Sequence, residues 1–156
     1  MPEKSTIEKA RRDEREGKAP STQAGEFVHE EIEHIREGKH GARSAKQAIA
    51  IGLSKARRAG VRLPPPQANA SLATRKKAER DLAIGSAAAE RPPLKPRSRA
   101  TTKALEREGS SAASSEALSR QARKSARGRS AASRKRAAQK AVRTKRNAAR
   151  GRQAPG

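Results

Sequence analysis

The chain has 156 residues, enough for one ordinary domain, yet 1% are aromatic and the 32% that are hydrophobic are mostly alanine. Lys and Arg number 38 against 16 Asp and Glu, a formal net charge of +22, so the chain repels itself and seeks polyanions. The absence of cysteine excludes disulfides and thiolate metal sites, and no run of ~18 apolar residues exists to span a membrane.

Alanine buries little area, and burial stabilises by roughly 25 cal/mol per Å². Ordering the backbone costs on the order of 1–2 kcal/mol per residue. One core running through the whole chain is therefore not expected. The expected fold class is mostly α: a small helical hairpin, then short helices in a largely disordered basic arm.

Residues 1–19 read as a charged N-terminal helix. Ser5-Thr6-Ile7-Glu8 has the form of a capping box, and Gly17 is a stop. Charge all round its face predicts an exposed, fraying element.

Residues 20–63 read as a helical hairpin. In the first helix, Ala24–Glu37, residues Ala24, Val28, Ile32 and Ile35 recur at helical spacing beside Phe27. Pro20, Ser21 and Thr22 suit its start, Gly38 and Gly41 its end. The second helix, Ala45–Arg58, opens on the capping-box pattern Ser44-Ala45-Lys46-Gln47. Its apolar stripe is Ala45, Ala48, Ile49, Gly52, Leu53 and Ala56, with Gly52 allowing close helix approach. Lys55, Arg57 and Arg58 stand at the negative end of its dipole. Gly60 suits a cap, and Pro64-Pro65-Pro66 forbids continuation. The stripe exceeds what two short helices bury, which suggests a homodimer or partner docking through Ala45–Ala56.

Residues 64–98 read as a proline-containing linker with one short helix, Ser71–Ile84, before Gly85. Arg91–Arg97, with Pro92, Pro93 and Pro96, reads as extended. Residues 99–156 read as a basic, Ala/Arg/Lys/Ser-rich arm with helical stretches at Thr101–Glu108, Ser114–Arg127 and Ala131–Ala149. Like charges at i,i+4 oppose those helices until phosphate neutralises them.

Charge divides the chain more sharply than length does. Residues 1–66 carry 14 Lys/Arg and 10 Asp/Glu, and residues 67–156 carry 24 and 6. No acidic residue follows Glu116, whereas 14 cations do. These are Arg120, Arg123, Lys124, Arg127, Arg129, Arg134, Lys135, Arg136, Lys140, Arg143, Lys145, Arg146, Arg150 and Arg152, spaced by Ala, Ser and Gly. They are the expected nucleic-acid-binding residues. The arm lacks aromatics to stack on unpaired bases, which favours duplex DNA over RNA. It also lacks a rigid element reading base edges, so backbone binding without sequence preference is expected. The hairpin has a helix-turn-helix outline, but simple packing explains a helix pair more economically. The alternatives are an RNA-binding or ribosome-associated protein, and an interaction protein for acidic partners or an anionic membrane surface. The acidic group Glu30, Glu31 and Glu33 would restrain non-specific binding if it met the arm.

No catalytic constellation is present: neither a phosphate-cradling loop nor a nucleophile beside a base, so a non-enzymatic protein without cofactor is expected. The many serines suit phosphorylation rather than nucleophilic catalysis. His29 and His34 lie five apart on different helix faces, so no metal site is read from His29, His34 and His40.

The run Phe27-Val28-His29-Glu30, then Gly38-Lys39, then Lys46-Gln47-Ala48-Ile49-Ala50-Ile51-Gly52-Leu53-Ser54-Lys55-Ala56-Arg57 resembles a family of small basic bacterial proteins. Their shared core reads F-x-H-E…G-K…K-Q-A-I-A-I-A-L-S-x-A-R, with alanine at the position of Gly52. The resemblance covers about residues 20–66. Members are mostly uncharacterised, and some carry DNA-binding or plasmid-stabilisation labels. The arm resembles histone-H1-like tails in composition. Together these imply a bacterial, cytoplasmic, nucleoid-associated setting.

Overall fold

The computed structural model describes residues 2–66, 70–86 and 95–151, without the side chains of 95–98 and 148–151. The protein is mostly α. Among the described residues there are seven α-helices, one 3-10 turn and no strand. Residues 1–118 form one compact unit and residues 119–156 a second.

In the first unit, α1 (Lys4–Arg15), α2 (Pro20–Arg36) and α3 (Ala45–Arg58) end alike. Gly17, Gly38 and Gly60 take positive φ just past each helix. The next amide reaches back to close the last turn: Lys18 N–H to Asp13 O, Lys39 N–H to His34 O and Val61 N–H to Ala56 O. These are Schellman stops, and they place each chain reversal where the sequence places its glycine.

The second hairpin helix has the bounds expected from the sequence, Ala45–Arg58. Ser44 Oγ accepts from Gln47 N–H at 3.2 Å. The reciprocal bond is shifted by one residue, since Gln47 Oε1 takes Arg43 N–H at 2.9 Å. At α1 the expected capping box does not form. Glu3 is the N-cap, without a side-chain cap bond, and Ser5 lies inside the helix. The first hairpin helix begins earlier than Ala24, because Pro20 occupies the first helical position, where its missing N–H costs nothing.

The N-terminal helix is docked, not fraying. Ala10 is buried with Ala24, Phe27, Ala56 and Val61, and Ile7, Leu53 and Leu63 pack against that cluster. Its charges are accommodated locally: Lys18 Nζ lies 2.7 Å from both Asp13 and Glu16 carboxylates. Hydrogen bonds to Asp13 and then Glu16 hold that ammonium above the usual lysine range. The hairpin thus does not stand alone: α1 packs on it.

The contact between α2 and α3 is close at Gly52, as its position on the stripe predicts. A Cβ there would lie 2.7 Å from Val28 Cα and 3.0 Å from Phe27 O, both backbone atoms. Gly52→Ala is therefore expected to destabilise the protein by about 1–3 kcal/mol, despite alanine's better helix propensity. Thermal melts followed by circular dichroism check this.

On α2 the fully buried row is Ala24, Phe27, Glu31 and Ile35, with Val28 and Ile32 only half-buried. On α3, Ala45, Ala48, Gly52 and Ala56 are buried, and Ile49 and Leu53 are half-buried. A second cluster joins Ile35, Ala42 and Ala48 to Ala112 and Ala113. The apolar stripe of α3 packs in large part within its own chain, with Ile49 and Leu53 left half-buried. Arg57 does not project from the helix end. Its side chain is buried and donates to the carbonyls of Leu63 (3.1 Å) and Pro64 (3.2 Å). Burial pulls this guanidinium below its ordinary pKa, with Asp81 opposing.

The short helix beyond the triproline is α4 (Leu72–Ser86). It packs on α3 rather than lying in a free linker. Asp81 is buried and accepts from Ser54 Oγ at 2.7 Å, with Lys77 Nζ 3.6 Å away. Next comes α5 (Lys95–Glu106), so Lys95, Pro96 and Arg97 open a helix instead of extending a linker; residues 91–94 of that expected segment lie outside the described residues. Proline is tolerated in a first turn, which explains the difference.

The arm also begins later than residue 99. Gly41 N–H donates to Leu105 O at 2.9 Å and Ala42 N–H to Gly109 O at 3.2 Å. The 3-10 turn Ser111–Ala113 buries Ala112 and Ala113, and Arg36 Nε donates to Ala113 O at 3.1 Å. Residues 99–118 thus belong to the first unit.

Candidate nucleic-acid interface

The second unit holds α6 (Ser115–Arg127) from Ser119 onward, and α7 (Ala131–Gly151). Both follow the alanine, arginine and lysine content of their sequence. Each starts on a serine cap. Ser114 Oγ accepts from Ala117 N–H, and Ser130 Oγ from Ser133 N–H, both at 3.2 Å. Gly128 separates the helices. Neither helix owes its form to burial: no residue of α6 is buried, and the described side chains of α7 are exposed except a half-buried Ser133.

Helical geometry sorts the expected binding residues. Arg120, Arg123, Lys124 and Arg127 fall at i, i+3, i+4 and i+7, which puts all four on one face of α6. All four are exposed. On α7, Arg136, Lys140, Arg143 and Arg146 share a broader face, flanked by Lys135. Arg134 and Lys145 stand on the other side of that helix, together with Ala138 and Ala141. Arg129 lies between the helices. Of Arg150 only the helical backbone is described, and Arg152 lies outside the described residues. The sequence pattern identified the cations; their grouping into two faces needed the helix register.

The 21 residues of α7 extend over about 30 Å at 1.5 Å per residue. Duplex DNA presents one phosphate charge per about 1.7 Å of axis. The cations of this face, Arg136 to Arg146, stand three or four residues apart, about 5 Å along the axis, so such a duplex would offer roughly three phosphates per cation. No carboxylate from residue 117 onward competes for these cations. Within α6, Arg123 Nη2 donates to Ser119 Oγ at 3.1 Å.

The acidic group of α2 is committed elsewhere. Glu30 and Glu31 are buried in the first unit, with Lys55 Nζ 3.6 Å from Glu30 Oε1 and 2.6 Å from Glu31 Oε2. Glu33 pairs with Arg36 at 2.8 Å. These carboxylates pair with cations of residues 1–118.

A family described only as of unknown function, DUF6496, matches residues 3–67. No curated protein and no solved structure matches the chain. The matched segment covers α1 to α3 and stops well short of the two cationic helices. Among the described residues no helix is long and apolar enough to cross a membrane.

Proposed function

We propose that the protein is a non-enzymatic nucleic-acid-binding protein that grips duplex DNA through the phosphate backbone with its two C-terminal helices. One observation carries the reading: 14 cations and no carboxylate in residues 119–156, with four of the cations aligned on α6. Neutralising phosphate relieves the repulsion between Arg120 and Lys124, Arg123 and Arg127, and Arg136 and Lys140, each an i,i+4 pair. Binding then rewards the helical form of the arm. The even spread of cations among small residues carries no base-specific pattern, so binding is indifferent to sequence. A role in packaging or maintaining bacterial DNA, histone-like in character, is the setting that fits.

Competition at fixed salt tests the choice of polyanion. A labelled random duplex bound to the full chain is challenged with unlabelled duplex, structured RNA and anionic vesicles at equal charge. Duplex DNA is expected to compete best. Stronger competition by RNA, or by vesicles, would replace DNA as the ligand.

A further inference from the structure

Glu31 is a carboxylate with no exposed surface, in the middle of the α2–α3 contact. Lys55 Nζ stands 2.6 Å from its Oε2. Neither of its oxygens has a hydrogen-bond partner, and Oε1 faces His40 Nε2 at 3.6 Å. His40 comes from the loop after α2, and its Nδ1 is 3.2 Å from the Gly41 carbonyl oxygen. A carbonyl only accepts, so in the neutral ring the proton sits on Nδ1 and Nε2 keeps its lone pair. Two acceptors, one of them wholly buried, then face each other across a gap that suits a cation.

A third donor completes the group. His34 lies one helical turn after Glu31, at i+3 on the same face of α2. Its ring meets that of His40 edge to face, with centroids 6.2 Å apart. Its Nε2 is 3.0 Å from Glu3 Oε1. An imidazole whose Nε2–H is donated to a carboxylate offers Nδ1 to a metal, with the carboxylate fixing the ring from outside. Ligand atoms of Glu31, His34 and His40 all lie within 4.8 Å of one another. A tetrahedral zinc ion holds its donors about 2.0–2.2 Å away, hence roughly 3.4 Å apart. Side-chain rotation closes that difference. The surrounding charges favour a cation, because Glu3, Glu30 and Glu31 outnumber Lys39 and Lys55.

We propose that Glu31, His34 and His40 bind one divalent transition-metal ion of the zinc class, through one nitrogen of each histidine and Glu31 Oε1. Two imidazoles and one carboxylate are the donor set such ions prefer. Three protein ligands leave a fourth position for water. The ion ties the α2–α3 loop onto α2. That loop is in turn bonded through Gly41 and Ala42 to Leu105 and Gly109, so the ion would steady the first unit as a whole.

The test uses the full chain, stripped of metal with a chelator and titrated with zinc chloride in a calorimeter. One ion per chain is expected, with a melting temperature about 5–10 °C higher in excess zinc. His34→Ala and His40→Ala are each expected to weaken binding at least tenfold, while His29→Ala binds as the parent does. Each variant's melt is compared with its own metal-free form, so a loss of stability is not mistaken for a loss of ligand. Cobalt substitution gives a second readout, the visible absorption of a four-coordinate ion. No heat with zinc at millimolar concentration would overturn the proposal. So would unchanged binding in both histidine variants, or its loss in His29→Ala.

Discussion

Replacing Lys55 with methionine is expected to cost about 3–5 kcal/mol of stability, the range for removing one partner of a buried ion pair. Methionine keeps the length of the side chain and drops its charge. Glu30 and Glu31 then lose the ammonium that lies 3.6 Å and 2.6 Å from their oxygens, with carboxylates only 4% and 0% exposed. Lys55 itself is 22% exposed, so water offsets part of the loss and the lower end of the range is expected. A domain of this size is stable by about 5–15 kcal/mol, so the change is large. Urea unfolding followed by circular dichroism measures it. Combining Lys55→Met with Glu30→Gln and Glu31→Gln is expected to restore most of the stability, since removing all partners leaves no uncompensated charge. A loss below about 1 kcal/mol for Lys55→Met alone would contradict the role given to this pair.

That pair marks the limit of what the sequence discloses. Periodicity located α2 and α3, Gly38 and Gly60 marked their ends, and Gly17 marked that of α1, because local backbone chemistry decides both. The capping serine of α3 was legible for the same reason. Periodicity counts apolar residues, so it passed over Glu31, the buried centre of the α2 face. It equally gave no sign that the charged α1 docks, with Ala10, Thr6 and Asp13 buried and Ile7 packed on the core. The turn Ser111–Ala113 carries no signal at all: its alanines become core only because Ile35, Ala42 and Ala48 meet them in space. His40 was legible as a histidine but not as a neighbour of Glu31, because the turn at Gly38 brings it back. The cationic arm was the opposite case. Its composition is its signal, and folding added only the register that aligns Arg120, Arg123, Lys124 and Arg127.

The second large effect is the salt dependence of binding. Each cation that meets a phosphate releases a counterion, with a slope of about −0.9 in log K against log salt per contact on duplex DNA. The two cationic faces hold eight residues: Arg120, Arg123, Lys124 and Arg127 on α6, and Arg136, Lys140, Arg143 and Arg146 on α7. If six to eight of them engage, the slope is roughly −5 to −7. Affinity then falls by a factor of about 10³–10⁴ between 50 and 200 mM salt. Binding held by apolar or neutral polar contacts would change little over the same range.

The most direct measurement is that titration on a random-sequence duplex, run on the full chain and on a chain ending at Leu118. The shortened chain keeps the whole first unit and 24 of the 38 cations, offset in part there by all 16 acidic residues. The full chain is expected to bind with the steep slope, and the shortened chain to lose most of both affinity and slope. Equal affinity and equal slope for the two chains would contradict the assignment of binding to α6 and α7.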